Sequence, residues 1–262
     1  MTPAFLTDLP PVFDRNEAVC FDAFGTLVEI TDKRQAFRPM FKALIPDKRL
    51  ELKHRLMRED RPFTHWPEAL EVEIAPMTLL EVMERMMIET GSIALRPGTA
   101  DIWARLRSER LRLALCSNLA SDYVTALRSA FPETPDLEVL SCKVGAIKPE
   151  SAIYAAVLDG LQVAPGRVLF AGDTTRVDIQ GACVAGMKAI HLDELVAAFQ
   201  PGRRSGEGRG PPPLGQPHST APGPRAQALR AAPLPLNEAA SPPPAFATWQ
   251  ICEAKACKSA QG

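Results

Sequence analysis

The chain has 262 residues, 46% of them hydrophobic and 23% charged, and a formal net charge of −1. This fits a globular protein with enough chain for a sizeable core. No apolar run approaches the roughly 18 residues of a membrane helix, no basic stripe interleaves with aromatics as nucleic-acid binding requires, and the first residues lack the basic and apolar regions of a secretion signal. Six cysteines are too sparse for a disulfide framework, so a reducing, cytoplasmic compartment is expected.

Proline is the anomaly. The chain holds 25, and 12 of them lie in residues 201–262 with 7 of the 16 glycines. Charge divides at the same place: residues 1–200 carry 23 Lys/Arg against 28 Asp/Glu, and the remainder 7 against 3. The stretch 200–262 has no usable periodicity and too little apolar content to offset its ordering entropy, so disorder is expected there.

Residues 17–22 (EAVCFD) are a short apolar run ending in an acid, read as a buried strand broken at Gly25. Residues 33–45, 47–60, 67–74 and 77–90 read as helices, with breaks at Pro46, Pro62, Pro67, Pro76 and Gly91 and no strand signal among them. Leu79, Leu80, Val82, Met83, Met86 and Met87 give the last of these a broad apolar face, expected to pack into a core. Helical patterns at 99–109, 121–130, 150–160 and 176–186 then alternate with apolar runs at 111–116, 137–141, 167–172 and 187–192, and 193–199 reads as a final helix. The expected fold is α/β: a Rossmann-like, doubly wound parallel sheet with helices on both faces. A core of 1–30 and 92–199 carries an inserted helical segment at 31–91.

In such sheets chemistry sits beyond the C-terminal strand ends. Three of those ends are polar: Asp22, Ser117 and Asp173. A carboxylate there can attack an electrophile and form a covalent intermediate. Ser117 and Asn118 offer a hydroxyl and backbone N–H groups to an anion. Asp173 and Asp178, five residues apart, can join Asp22 in an all-oxygen Mg²⁺ site. Arg34 and Arg38, spaced i,i+4 on the first helix of the insertion, can close over an anionic small-molecule substrate.

The run Asp22-Ala23-Phe24-Gly25-Thr26-Leu27, then Ser117-Asn118, Lys148-Pro149 and Gly172-Asp173-Thr174 through Asp178, resembles the four motifs of the haloacid dehalogenase-like hydrolase superfamily. The resemblance spans about residues 17–199, and the helical insertion is similar to that family's type-1 cap. It implies Asp22 as nucleophile, Lys148 as the cation that keeps it ionised, Thr26, Ser117 and Asn118 at the substrate, and Mg²⁺ held by Asp22, the Phe24 carbonyl, Asp173 and Asp178. The chain departs from the phosphatase pattern at one position. In that family's phosphatases a second Asp stands two residues after the nucleophile, protonates the leaving group and later activates water. Phe24 stands there and cannot transfer a proton. An aromatic there is a feature of the metal-independent 2-haloacid dehalogenases, whereas Gly172-Asp173-Thr174 is the metal-binding phosphatase form. The metal motif favours a Mg²⁺-dependent hydrolase of small phosphorylated compounds. A 2-haloacid dehalogenase and a weakly catalytic binding protein on the same fold are the alternatives.

Overall fold

A computed structural model describes residues 9–131 and 133–199. The disorder expected for 200–262 therefore lies outside the described residues. In chain order the elements are β1 (Ala18–Phe21), β2 (Val28–Ile30), α1 (Arg38–Ala43), α2 (Pro46–Arg55), α3 (Trp66–Ala69), α4 (Pro76–Gly91), β3 (Ile93–Leu95), α5 (Thr99–Ser108), β4 (Arg112–Ser117), α6 (Val124–Ala130), β5 (Leu137–Leu140), α7 (Ser141–Val144), α8 (Ser151–Leu161), β6 (Val168–Gly172), α9 (Gly181–Val184), β7 (Lys188–His191) and α10 (Leu192–Phe199). A π-helical turn, Thr175–Gln180, joins β6 to α9. Among the described residues no helix is long and apolar enough to cross a membrane.

The five expected strands form one parallel sheet in the order β5-β4-β1-β6-β7. Its inner strands are apolar throughout because both faces are covered. Alternate side chains point to opposite faces. Val19, Phe21, Leu113, Leu115 and Leu169 pack with Trp103 and Leu106 of α5 and Leu195 of α10. Ala18, Cys20, Ala114, Cys116 and Phe170 pack with Ile153, Tyr154 and Val157 of α8. Each large side chain so buried contributes roughly 1.5–3 kcal/mol. The central strand is β1. The chain leaves it towards β4 on one side and returns as β6 on the other, so the strand order switches beside Asp22, where a crevice opens.

The segment between β2 and β3 is helical and has its own apolar centre. Met40, Phe41, Leu52, Trp66, Leu70, Val82 and Met86 pack together there. Four differences from the sequence reading have physical reasons. First, Ile93–Leu95 is a strand, paired antiparallel with Val28–Ile30. Both partners have three residues, too few for a readable alternation. Second, the prolines start helices rather than only separating them: Pro46 and Pro76 open α2 and α4, because the missing N–H is not needed at a first helical position. Third, α1 begins at Arg38, so Arg34 lies in the preceding loop and the two arginines do not share a helix face. Fourth, α4 buries Val82 and Met86 but leaves Leu80, Met83 and Met87 exposed, so its stripe packs on one side only.

Candidate active site

Asp22 follows β1 directly, and its N–H donates to the Ala171 carbonyl at 2.9 Å, which extends the sheet by one residue. The chain then turns at Gly25, whose φ of +88° is a left-handed conformation. A Cβ there would stand 2.3 Å from Asp173 Oδ2, so the close approach of the two loops also requires glycine. Thr26 is fully buried and donates its hydroxyl to Asp22 Oδ2 at 3.3 Å. It faces the Asp22 carboxylate and does not line the cavity.

Lys148 is buried, with Nζ 2.7 Å from Asp22 Oδ1 and 2.7 Å from Asp178 Oδ1. Asn118 places it. The Asn118 side chain accepts the Lys148 N–H at 2.8 Å and donates to the Lys148 carbonyl at 3.1 Å. Asn118 thus orients the lysine through its backbone, and both Asn118 and Ser117, the latter at the end of β4, line the cavity. On the third loop, Asp178 Oδ2 accepts the Thr174 N–H at 3.0 Å, and Asp173 Oδ1 accepts the Thr174 hydroxyl at 3.1 Å. His191 Nε2 lies 2.7 Å from the Asp173 carbonyl oxygen. The sequence reading did not single out this support, because a lone histidine has no spacing signal.

One ligand oxygen from each of Asp22, Asp173 and Asp178 lies within 4.8 Å of the others. Burial pushes the Asp22 carboxyl up to about 7; Lys148 opposes that rise and Asp178 adds to it. Burial and the neighbouring Asp178 likewise raise Asp173. Burial disfavours the charged form of Lys148, but Asp22 and Asp178 outweigh it and hold the ammonium well above its ordinary range. Three carboxylates around one ammonium leave two surplus negative charges. The raised carboxyls express that surplus, and a divalent cation with oxygen preference matches both the charge and the donor set. The site therefore fits Mg²⁺.

The cluster forms the floor of a cavity of about 610 Å³ whose walls come from the core and from the helical insertion. Arg38 reaches the lining, with Lys33, Gln35, Lys53, Arg96 and Arg176. Arg34 does not appear in the lining among the described residues; its guanidinium pairs with Asp32 at 2.7 Å. Phe24 lines the cavity beside Asp22 and stands edge-on to Tyr123, with centroids 6.2 Å apart. Arg96 donates to the Gly25 carbonyl at 2.5 Å. Nothing in the local sequence around Arg96 announces that contact, because its partner lies 71 residues away.

The haloacid dehalogenase-like hydrolase model matches residues 17–186. Protein CbbY of Cereibacter sphaeroides is 32% identical over 192 residues, covering 66% of this chain and 83% of that protein. Phosphoserine phosphatase of Thermus thermophilus is 28% identical over 121 residues, covering 45% of this chain and 49% of that enzyme. Among solved structures, CbbY from Rhodobacter sphaeroides in complex with phosphate is 26% identical, covers 67% of this chain and 85% of its own, and has a TM-score of 0.47. The chain belongs to the haloacid dehalogenase-like hydrolases. By that membership it is a hydrolase.

Proposed function

We propose that this protein is a Mg²⁺-dependent phosphatase of small phosphorylated metabolites that works through an aspartyl-phosphate on Asp22. The arrangement of Lys148 at 2.7 Å from both Asp22 and Asp178 carries the reading. In this reading residues 1–30 and 92–199 are the catalytic core, and 31–91 is a cap that encloses the substrate.

Asp22, Asp173 and Asp178, with the Phe24 carbonyl, would hold the Mg²⁺. When bound, the ion offsets the negative charge of phosphate and of the three acids. The chain's own groups do the rest. Lys148 keeps Asp22 ionised and turns one of its oxygens away from the substrate, leaving the other to attack. Thr26 steadies that second oxygen. Ser117 and the adjacent N–H groups receive a non-bridging phosphoryl oxygen, and Lys148 offsets charge that develops there. Asp22 forms an O–P bond as the bond to the leaving oxygen breaks. The leaving oxygen keeps that electron pair. Water then hydrolyses the aspartyl-phosphate to phosphate and regenerates Asp22.

Phe24 narrows the substrate class. With no proton donor at that position, the leaving oxygen departs as its anion, which favours acyl or aryl phosphates. Losing one general acid typically slows a reaction about 10²–10⁴-fold, so alkyl phosphates should turn over slowly. The test is phosphate release from acetyl phosphate and p-nitrophenyl phosphate with and without Mg²⁺. Mg²⁺-dependent release is expected. Chloride release from 2-chloropropionate without metal, in the absence of phosphate release, would instead select the dehalogenase reading that Phe24 favours.

A further inference from the structure

Among the described residues Glu89 is the one buried charged side chain outside the Asp22–Lys148–Asp178 cluster. It lies on α4, the last helix of the insertion, and its Oε1 accepts the backbone N–H groups of Arg34 and Gln35, both at 2.6 Å. Its Oε2 accepts the Ala36 N–H at 3.4 Å and the hydroxyl of Tyr123. Arg34–Ala36 begin the insertion and Tyr123 belongs to the core. One carboxylate thus joins both ends of the insertion to the core.

Tyr123 closes a short 3₁₀ turn, Ser121–Tyr123, that follows Ser117-Asn118 by two residues. Each residue of this turn bonds a different part of the insertion. Ser121 Oγ donates to Asp60 Oδ1 at 2.5 Å, Asp122 Oδ1 accepts the Phe63 N–H at 3.0 Å, and Tyr123 reaches Glu89. From Glu89 the chain of contacts runs to the cavity: Gln35, held by its N–H, accepts from Arg38 Nη1 at 3.1 Å through its side chain. Arg38 lines the cavity.

We propose that Glu89 and Tyr123 form a buried latch that positions Gln35 and Arg38 over the nucleophile, and that this latch sets the enzyme's preference for substrates bearing a second anionic group. The latch rests on the phosphatase reading. Glu89 and Tyr123 line the cavity wall, and the latch acts by placing Arg38 rather than on the reacting atoms, so both are positioning residues. A carboxylate that collects three N–H groups and a hydroxyl fixes the loop in one place, because each donor loses a charge-assisted bond if the loop moves. Asp22 and Lys148 are held separately, by Thr26 and Asn118, so loosening the latch leaves the chemistry intact.

The experiment compares p-nitrophenyl phosphate with 4-carboxyphenyl phosphate, which shares the aryl leaving group and adds one carboxylate. It uses the full chain with Mg²⁺ in wild type, Tyr123→Phe and Glu89→Gln. Tyr123→Phe removes a single hydroxyl and keeps the ring against Phe24, so it decides the matter if Glu89→Gln does not fold. The expected result is a KM for 4-carboxyphenyl phosphate raised about tenfold, the scale of one hydrogen bond to a charged group. The KM for p-nitrophenyl phosphate should move much less, and kcat for both should stay within about threefold. Amide exchange at Arg34 and Gln35 should quicken. A fall in kcat larger than the rise in KM, or equal effects on the two substrates, overturns the latch. A wild-type chain that hydrolyses neither substrate contradicts the phosphatase reading. The latch is then judged by exchange alone, and unchanged protection at Arg34 and Gln35 in Tyr123→Phe overturns it.

Discussion

On the floor of the cavity, Asp22, Lys148 and Asp178 are buried; Lys148 Nζ stands 2.7 Å from an oxygen of each acid, with Asp22 directly after β1, Asp178 in the turn after β6 and Lys148 in the loop between α7 and α8. On its wall, Arg38 and Lys33 ride on a loop and a six-residue helix that reach the core through side-chain bonds such as Glu89 to Tyr123 and Asp60 to Ser121. The floor's charged groups each have several partners: the Asn118 side chain grips the Lys148 backbone, Lys148 bonds both acids, and Asp178 also accepts the Thr174 N–H. The wall depends on a few polar contacts that individual substitutions can release. Chemistry and selectivity are therefore expected to respond to different mutations.

The largest effect should come from the floor. On the proposed mechanism Asp22→Asn replaces the attacking carboxylate with a neutral amide, and activity should fall by on the order of 10⁴-fold or more in a phosphate-release assay. Phe24→Asp should act in the opposite direction. If the site is otherwise intact, restoring an acid–base group should raise turnover of alkyl phosphates by about 10²-fold or more, and that of acetyl phosphate, whose leaving group needs no proton, by less. An equal rise on both substrates would place the missing group's effect in the shared hydrolysis of the aspartyl-phosphate, and no rise on either would mean that Phe24 does not mark a missing acid.

Lys148→Met leaves two carboxylates buried without their cation. Breaking a buried pair typically destabilises by about 3–5 kcal/mol, so urea unfolding should shift to lower concentration. Lowering the pH should restore part of the loss, since protonation relieves the repulsion. The pH profile sharpens the same point. On the proposed mechanism Asp22 must be ionised to attack, and its carboxyl, raised to about 7 by burial, predicts activity rising as pH climbs through that range. A cation held by the three acids favours their charged forms, so the acidic limb should move to lower pH as Mg²⁺ is raised. The smallest effects belong to the wall. Arg38→Ala should raise KM with little change in kcat, whereas Arg34→Ala should do almost nothing, because its partner is Asp32.

The inner strands β1, β4 and β6 were readable because they are buried on both faces and so appear as apolar runs that end on polar residues, whereas the half-exposed edge strands β5 and β7 mix in Glu138, Lys188 and His191. Asp22 and Asp173 were readable because residue type and strand-end position coincide, Asp178 by its spacing from Asp173, and Lys148, in the loop between α7 and α8, only through the resemblance. The pairing of β2 with β3 was not, since its two three-residue segments are separated by the whole insertion. The role of Asn118 was only half visible: the residue is at the expected position, but its amide is engaged by the backbone of Lys148, a tertiary contact 30 residues away. Glu89 and Tyr123 carried no motif at all. An acid within a helix of mixed Met, Glu and Arg looks like any solvated residue until folding brings three N–H groups and a phenol around it.

The central claim is that Asp22 becomes phosphorylated. Brief incubation of the protein with acetyl phosphate and Mg²⁺, acid quenching and peptide mass spectrometry test it directly. The account predicts a phosphoryl group on the peptide containing Asp22, lost on treatment with hydroxylamine and absent when Mg²⁺ is withheld or Asp22 is replaced by Asn. Mg²⁺-dependent phosphate release that continues undiminished in Asp22→Asn would contradict it.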